Sequence, residues 1–201
     1  MNGLSSIEVV PEPLAGLVRD HERVAEVIAD ARGVLDRAAQ YGLEAERSPE
    51  VIEVARGLDQ FLARDLTLHI AKEEQVLFPA LRALARDTSR TVDDMVAQHD
   101  EIRARHTLIE QTMAALDAHH GVVDEERVAL AAGVQDAAAM MSAETLATLR
   151  GAVTRLDWIL QGHFGDEEDH LFAPAAVLLA PDVLKDLASR MAALERAAPS
   201  A

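Results

Sequence analysis

Apolar side chains recur at three- and four-residue spacing along most of this 201-residue chain, and no stretch alternates apolar with polar residues. That period matches one face of an α-helix and argues against half-buried strands. Glycine and proline are few and fall at the breaks between periodic segments. The spacing therefore predicts an all-α chain.

The first helix is expected over Pro13–Tyr41, with Leu14, Leu17, Val24, Val27, Ile28 and Leu35 on its apolar face. Gly42 and the sequence Ser48-Pro49-Glu50 mark a stop and a capped restart. A second helix follows over Pro49–Ala85, carrying Ile52, Leu58, Phe61, Leu62, Leu66 and Leu77, with Pro79 expected to bend its last turns. A third runs over Thr91–His120 and stops before Gly121. A fourth opens on the capping sequence Ser142-Ala143-Glu144-Thr145 and ends near Pro174, with Leu146, Leu149, Val153, Leu156, Ile159 and Leu160 facing inward. Val122–Met141, also helical in pattern, reads as an insertion between the third and fourth helices.

A short last helix starts at Pro181 and Asp182 and contains Leu184, Leu187, Met191 and Leu194. Ala192–Ala201 is expected to fray. The expected architecture is an up-and-down four-helix bundle over residues 13–180. A flexible segment 1–12 precedes it, and a C-terminal helix with a frayed tail follows over 181–201.

Charge and composition narrow the function. Thirty-five Asp and Glu against 19 Lys and Arg give a net charge of -16. Such a field repels phosphate backbones and anionic bilayers, so neither nucleic acid nor a membrane is an expected partner. Cysteine is absent, which removes disulfides, thiol catalysis, iron–sulfur clusters and zinc fingers together. No run of about 18 apolar residues is long enough to span a bilayer. Met1–Glu12 lacks the basic-then-apolar pattern of a secretory signal. A cytoplasmic location is expected.

Two segments repeat one pattern. His69, Glu73, Glu74, Leu77, Phe78 and Pro79 are matched by His163, Glu167, Glu168, Leu171, Phe172 and Pro174, so HxxxEE followed by LF and a proline occurs once in each half of the chain. Another histidine precedes each copy: His21 the first and His99 the second. Residues i and i+4 share a helix face, so each HxxxE can offer an imidazole and a carboxylate to one metal, or to one metal and the bridge to a second.

Register supports bringing these residues together. His21 stands as far before Tyr41 as His69 stands after Pro49. In the same way, His99 stands as far before His120 as His163 stands after Ser142. In antiparallel neighbours, equal distances from a turn mean equal height along the bundle. The four histidines are expected at one level, with Glu73 and Glu167 a turn further toward the same end, and four imidazoles with two carboxylates suit two iron-sized cations.

On His21, His69, Glu73, His99, His163 and Glu167, with the LF-and-proline sequence after each HxxxEE, the chain resembles the hemerythrin-like (HHE cation-binding) family over about Leu14 to Pro174. That resemblance implies a left-twisted four-helix bundle around two iron ions with an oxo or hydroxo bridge. Glu73 and Glu167 would bridge the irons, and the histidines would cap them. The ferritin-like Glu-x-x-His spacing is not found at the paired positions.

One position departs from the oxygen-carrying members. They have a further histidine four residues after the third-helix histidine, and here that residue is Arg103. Reversible oxygen transport is therefore not expected. The implied ligands are instead peroxide, oxygen or nitric oxide, handled by peroxide disproportionation or by sensing and binding. Two other readings stand beside this one: iron binding or storage, including delivery for repair of damaged centres, and a bundle that has lost its metal and serves as an interaction module.

The remaining polar residues are read more plainly. His170 is expected to be solvated and His106 to be a satisfied core histidine. His119 and His120 suit the negative end of the third helix. Tyr41 is read as packing, Glu74 and Glu168 as surface or inter-helix groups, and Met140 and Met141 as packing.

Overall fold

The computed structural model describes residues 10–41, 48–84, 86–129 and 142–198, and the side chains of all of these except 48, 86–87 and 118–129. Among them are five helices and no strand. Helix α1 spans Leu14–Tyr41. Helix α2 runs in consecutive segments: Ser48–Phe61, a wide π turn Leu62–Leu66, Thr67–Lys72, a second π turn Glu73–Leu77, and Phe78–Arg82. Helix α3 is Arg86–Ala129. Helix α4 joins Ala143–Glu167, a π turn Glu168–Phe172 and Ala173–Leu178. Helix α5 is Pro181–Ala197.

Amphipathic spacing explains each helix. On α1 the buried residues are Leu14, Leu17, His21, Val24, Ile28, Ala31, Leu35 and Ala38, a single stripe at three- and four-residue steps. Helix α4 starts where Ser142 Oγ accepts the Thr145 N–H at 3.0 Å. Helix α1 packs on α2 and α4, and α3 packs on the same two, so four helices close a ring. Helix α5 lies against the Thr67–Leu77 part of α2.

Several boundaries differ from expectation. Helix α3 passes through Gly121 to Ala129, so Val122–Ala129 continues it. A helical glycine costs only about 1 kcal/mol relative to alanine, too little to stop a long helix. His119 and His120 therefore do not end that helix, and their side chains lie outside the described residues. So do the rest of the expected insertion, 130–141, with Met140 and Met141, and most of the N-terminal segment expected to be flexible.

Helix α4 passes Pro174, which sits in the first turn of the segment Ala173–Leu178, where a missing N–H is tolerated. Pro79 has the same place after the second π turn of α2. Its missing N–H leaves the Gln75 carbonyl, four residues back, without its helical donor, and Arg190 of α5 donates to that oxygen at 3.0 Å. Helix α5 is helical through Ala197, beyond the point where fraying was expected. Leu184, Leu187 and Met191 are buried, and Glu195 pairs with Lys72 at 2.6 Å.

The apolar interior has two parts. One contains Val24, Ile28, Leu62, Leu66, Ile102, Leu156 and Leu160. The other contains Leu14, Leu17, Val76, Phe78, Met95, Leu171 and Phe172, and α5 contributes to it. Between these two parts lie His21 on α1, Glu73 on α2, His99 on α3 and Glu167 on α4, with His69 and His163 one turn before the two glutamates.

Candidate metal centre

His21, His69, Glu73, His99, His163 and Glu167 are all buried, none more than 3% exposed. Their inward atoms form two groups, His21, His69, Glu73 and Glu167 on one side and Glu73, His99, His163 and Glu167 on the other. Within each group the possible ligand atoms lie within 4.8 Å of one another. The two groups share both carboxylates. The sequence-selected residues are thus brought to one level, with one histidine from each helix of the ring and Glu73 and Glu167 between them.

All four Nε2 atoms face inward. His69 Nε2 is 3.2 Å and His99 Nε2 is 3.3 Å from the Glu73 carboxylate. His21 Nε2 is 3.4 Å and His163 Nε2 is 3.5 Å from Glu167 Oε2. His99 Nε2 and His163 Nε2 face each other at 3.0 Å.

The outward ring nitrogens explain this orientation. His21 Nδ1 donates to Glu168 Oε1 at 2.8 Å, and His99 Nδ1 donates to Glu74 Oε1 at 2.9 Å. His163 Nδ1 donates to Gln98 Oε1 at 2.9 Å. His69 Nδ1 lies 3.5 Å from Asp20 Oδ2, a looser contact. A proton held on Nδ1 leaves the lone pair on Nε2, which is the form that binds metal.

That arrangement fits a cation. His21 Nε2, His69 Nε2 and both oxygens of Glu73 and of Glu167 are buried and have no hydrogen-bond partner. Native proteins rarely leave so many polar atoms unsatisfied in one place. Lone pairs of imidazole and carboxylate converge here, and only positive charge placed among them satisfies all of them.

Without metal, protons must supply that charge. Burial pushes the His21 pKa down, but Glu167 and Glu73 outweigh it and raise it to about 9. His69 is likewise raised to about 9, against burial, chiefly by Glu73 and Asp20. Burial favours the neutral form of Glu73, yet the surrounding imidazoles, His69 foremost, take it well below the usual carboxylate range. Glu167 goes the other way, raised by burial and by the Glu73 charge. Burial holds His163 down at about 3, with the neighbouring imidazoles overriding the pull of Glu73. Two carboxylates this close do not share the same protonation preference.

Aromatic rings wall the layer. Phe164 stacks on His21 at 3.9 Å between centroids, Phe172 lies 5.5 Å from the same ring, and Phe78 stacks on His99 at 5.7 Å. The phenylalanine of each repeated LF therefore covers a histidine of the other helix pair. The π turns Glu73–Leu77 and Glu168–Phe172 lie where each motif passes from carboxylate to phenylalanine, a common position for such turns in functional helices.

Sequence reasoning missed Asp20 and Gln98 and gave Glu74 and Glu168 no specific role. All four adjoin a ligand candidate in sequence. A neighbour sits about 100° round the helix, which aims it at the adjacent helix and at that helix's histidine. The doubled glutamate in both motifs was the available signal.

Other expectations resolve differently. Arg103 is partly exposed and bonded to Glu74 at 2.7 Å and Asp100 at 3.0 Å, so its charge is engaged on the outside of the bundle. His170 is exposed, its Nδ1 3.1 Å from the Asp166 carbonyl. His106 is not a core histidine but is part-exposed, with Nε2 3.3 Å from Asp59 Oδ1. Tyr41 is 59% exposed at the end of α1 rather than packed inside. No helix among the described residues is long and apolar enough to cross a membrane.

Residues 12–132 match the hemerythrin HHE cation binding domain. The matched stretch includes His21, His69, Glu73 and His99, while His163 and Glu167 lie beyond it. No curated protein matches the chain.

Proposed function

The chain belongs to the hemerythrin HHE cation-binding domain family, and on that premise we propose that it is a cytoplasmic non-haem di-iron protein that binds and processes peroxide, oxygen or nitric oxide. The observation carrying this reading is the pair of four-residue groups sharing Glu73 and Glu167. Such a donor set would hold two cations, with two imidazoles for each and Glu73 and Glu167 available to both. Iron, when bound, supplies Lewis-acid and one-electron redox chemistry.

The chain's own residues do the rest. His21 and His69 would hold one iron, and His99 and His163 the other. Glu168, Glu74 and Gln98 fix three of the ring orientations from outside by hydrogen bonds, and Asp20 lies 3.5 Å from Nδ1 of the fourth, His69. Phe164, Phe172 and Phe78 keep water from the rings. Burial of every ligand candidate to 3% exposure or less favours reactants of only a few atoms. The side chain at 103 is directed outward to Glu74 and Asp100, so it would give the irons no fifth imidazole and a small exogenous ligand could bind in its stead.

Disproportionation converts two molecules of hydrogen peroxide into one of oxygen and two of water and needs no other reductant. Storage is less well supported, because a closed set of six buried ligand candidates suits a definite number of ions rather than a mineral.

The test is metal analysis and near-ultraviolet spectroscopy of protein purified under iron-replete conditions, followed by oxygen evolution from peroxide. About two irons per chain and rapid oxygen release are expected. Iron near zero, or zinc alone after competitive reconstitution, overturns the di-iron reading. Two irons inert toward peroxide, oxygen and nitric oxide move the function to iron binding or delivery.

A further inference from the structure

The repeat that brings the two halves together is broken at one place. Glu74 and Glu168 occupy matching positions after the two ligand glutamates, and each accepts from a histidine of the other helix pair. Asp20 and Gln98 also occupy matching positions, each immediately before a ligand histidine and facing the Nδ1 of the next helix's histidine. One is a carboxylate, the other a neutral amide.

Charge around the two halves differs accordingly. Near His21 and His69 stand Glu168, Asp20 and Glu195 with one cation, Lys72, whose Nζ is 3.0 Å from Asp20 and 2.6 Å from Glu195. Near His99 and His163 stand Glu74 and Asp100 with one cation, Arg103. The first surroundings carry one more negative charge. Glu168 also has no lysine or arginine paired with it among the described residues, its partner being His21, whereas Arg103 draws on the same Glu74 oxygen that His99 uses.

A carboxylate behind an imidazole makes it a more basic ligand, and removing such a partner typically costs metal sites about 10- to 100-fold in affinity. Resting on the two-cation reading above, we propose that the two positions are unequal: the His21–His69 position fills first and tightly, the His99–His163 position holds the exchangeable cation, and Gln98 in place of a carboxylate sets the difference. Asp20 and Gln98 act here as positioning residues, through His69 and His163. Lys72 and Glu195 tie the tight half to α5, whereas the exchangeable half has no such link among the described residues.

The experiment is anaerobic calorimetric titration of the full chain with ferrous ion alone, on wild type, Gln98→Glu, Asp20→Asn and His163→Ala. Wild type is expected to bind two ions in steps separated by about 10- to 100-fold. Gln98→Glu should tighten the second step and leave the first in place, a gain that a merely damaged fold cannot give. Asp20→Asn should weaken the first step only, and His163→Ala should remove the second only. Gln98 and Asp20 are both part-exposed, so their near-isosteric variants avoid remodelling the core. Two ions bound in wild type with one affinity, or a second step unmoved in Gln98→Glu, overturns the inequality and leaves the di-iron reading standing. Wild type binding fewer than two ions overturns both.

Discussion

The Phe164 ring lies flat on the His21 imidazole, 3.9 Å between centroids and 11° between planes. Phe164 directly follows the ligand candidate His163 in sequence, so α4 presents one imidazole to the centre and pins the imidazole of α1 with the next residue. Shortening this ring to leucine should keep the bundle folded while freeing His21. Phe164→Leu is expected to destabilise the protein by about 1–3 kcal/mol and to speed iron release to a chelator. A melting curve and a release time course check it, and unchanged release would mean that Glu168 alone holds the ring.

Glu73 and Glu167 should respond oppositely to the loss of charge. In metal-free protein at pH 7, Glu167→Gln removes a carboxylate whose ionised form burial and Glu73 disfavour, so its melting temperature should rise. Glu73→Gln removes one that three imidazoles stabilise, so its melting temperature should fall. In iron-replete protein both variants should lose one iron or both. Calorimetry with and without chelator, together with iron analysis, tests the four cases. Full iron content in both variants removes these carboxylates from the centre.

The metal-free protein should weaken on the alkaline side. His21 and His69 titrate at about 9 in the fold, above the ordinary histidine value of 6.5. A raised folded value means that the fold holds protons the unfolded chain has already lost. Their contribution is complete below about pH 6.5 and disappears as pH rises through about 9. Glu167, also raised, acts in the same direction. Chelated protein should thus melt progressively lower as pH climbs through that window. Iron-loaded protein should not follow, because metal replaces those protons. A flat profile for the chelated form would contradict the proton-held arrangement.

Oxygen should not be carried reversibly. With Arg103 where a further histidine would stand, and with its guanidinium bonded to Glu74 and Asp100, reduced protein mixed with oxygen should oxidise without a spectrum that reverts under vacuum. Stopped-flow absorbance followed by degassing decides. Recovery of the reduced spectrum on degassing would restore the carrier reading.

Arg103→Ala isolates the outer contact. Its removal frees Glu74 Oε1 to accept from His99 Nδ1 alone. Retention of iron should therefore rise or stay level, although a surface ion pair worth about 0–1 kcal/mol is lost. Chelator competition measures it, and a marked loss of iron would show that the guanidinium is needed to hold Glu74 in place.

The residue pattern alone determined the helical class and the identity of the six residues that converge. Helical period and heptad-like apolar spacing are local properties, and the position of a histidine relative to a turn fixes its height once helices run antiparallel. Seen from the sequence, the doubled HxxxEE was a pair of short-range patterns, and short-range patterns are what a chain displays openly. Gly121 and Pro174 misled for the same reason: their local costs are small beside the packing of long helices, so α3 and α4 run past them.

Only the tertiary structure decided which side chain stands behind which imidazole. Glu74 serves His99 and Glu168 serves His21, across helix pairs, while Gln98 and Asp20 reach the neighbouring helix's histidine. Arg190 caps a carbonyl that Pro79 left free. Such contacts join residues far apart in the chain, and their geometry depends on the rotation of each helix about its own axis. That rotation is set jointly by all the packed faces, so no single segment of sequence carries it.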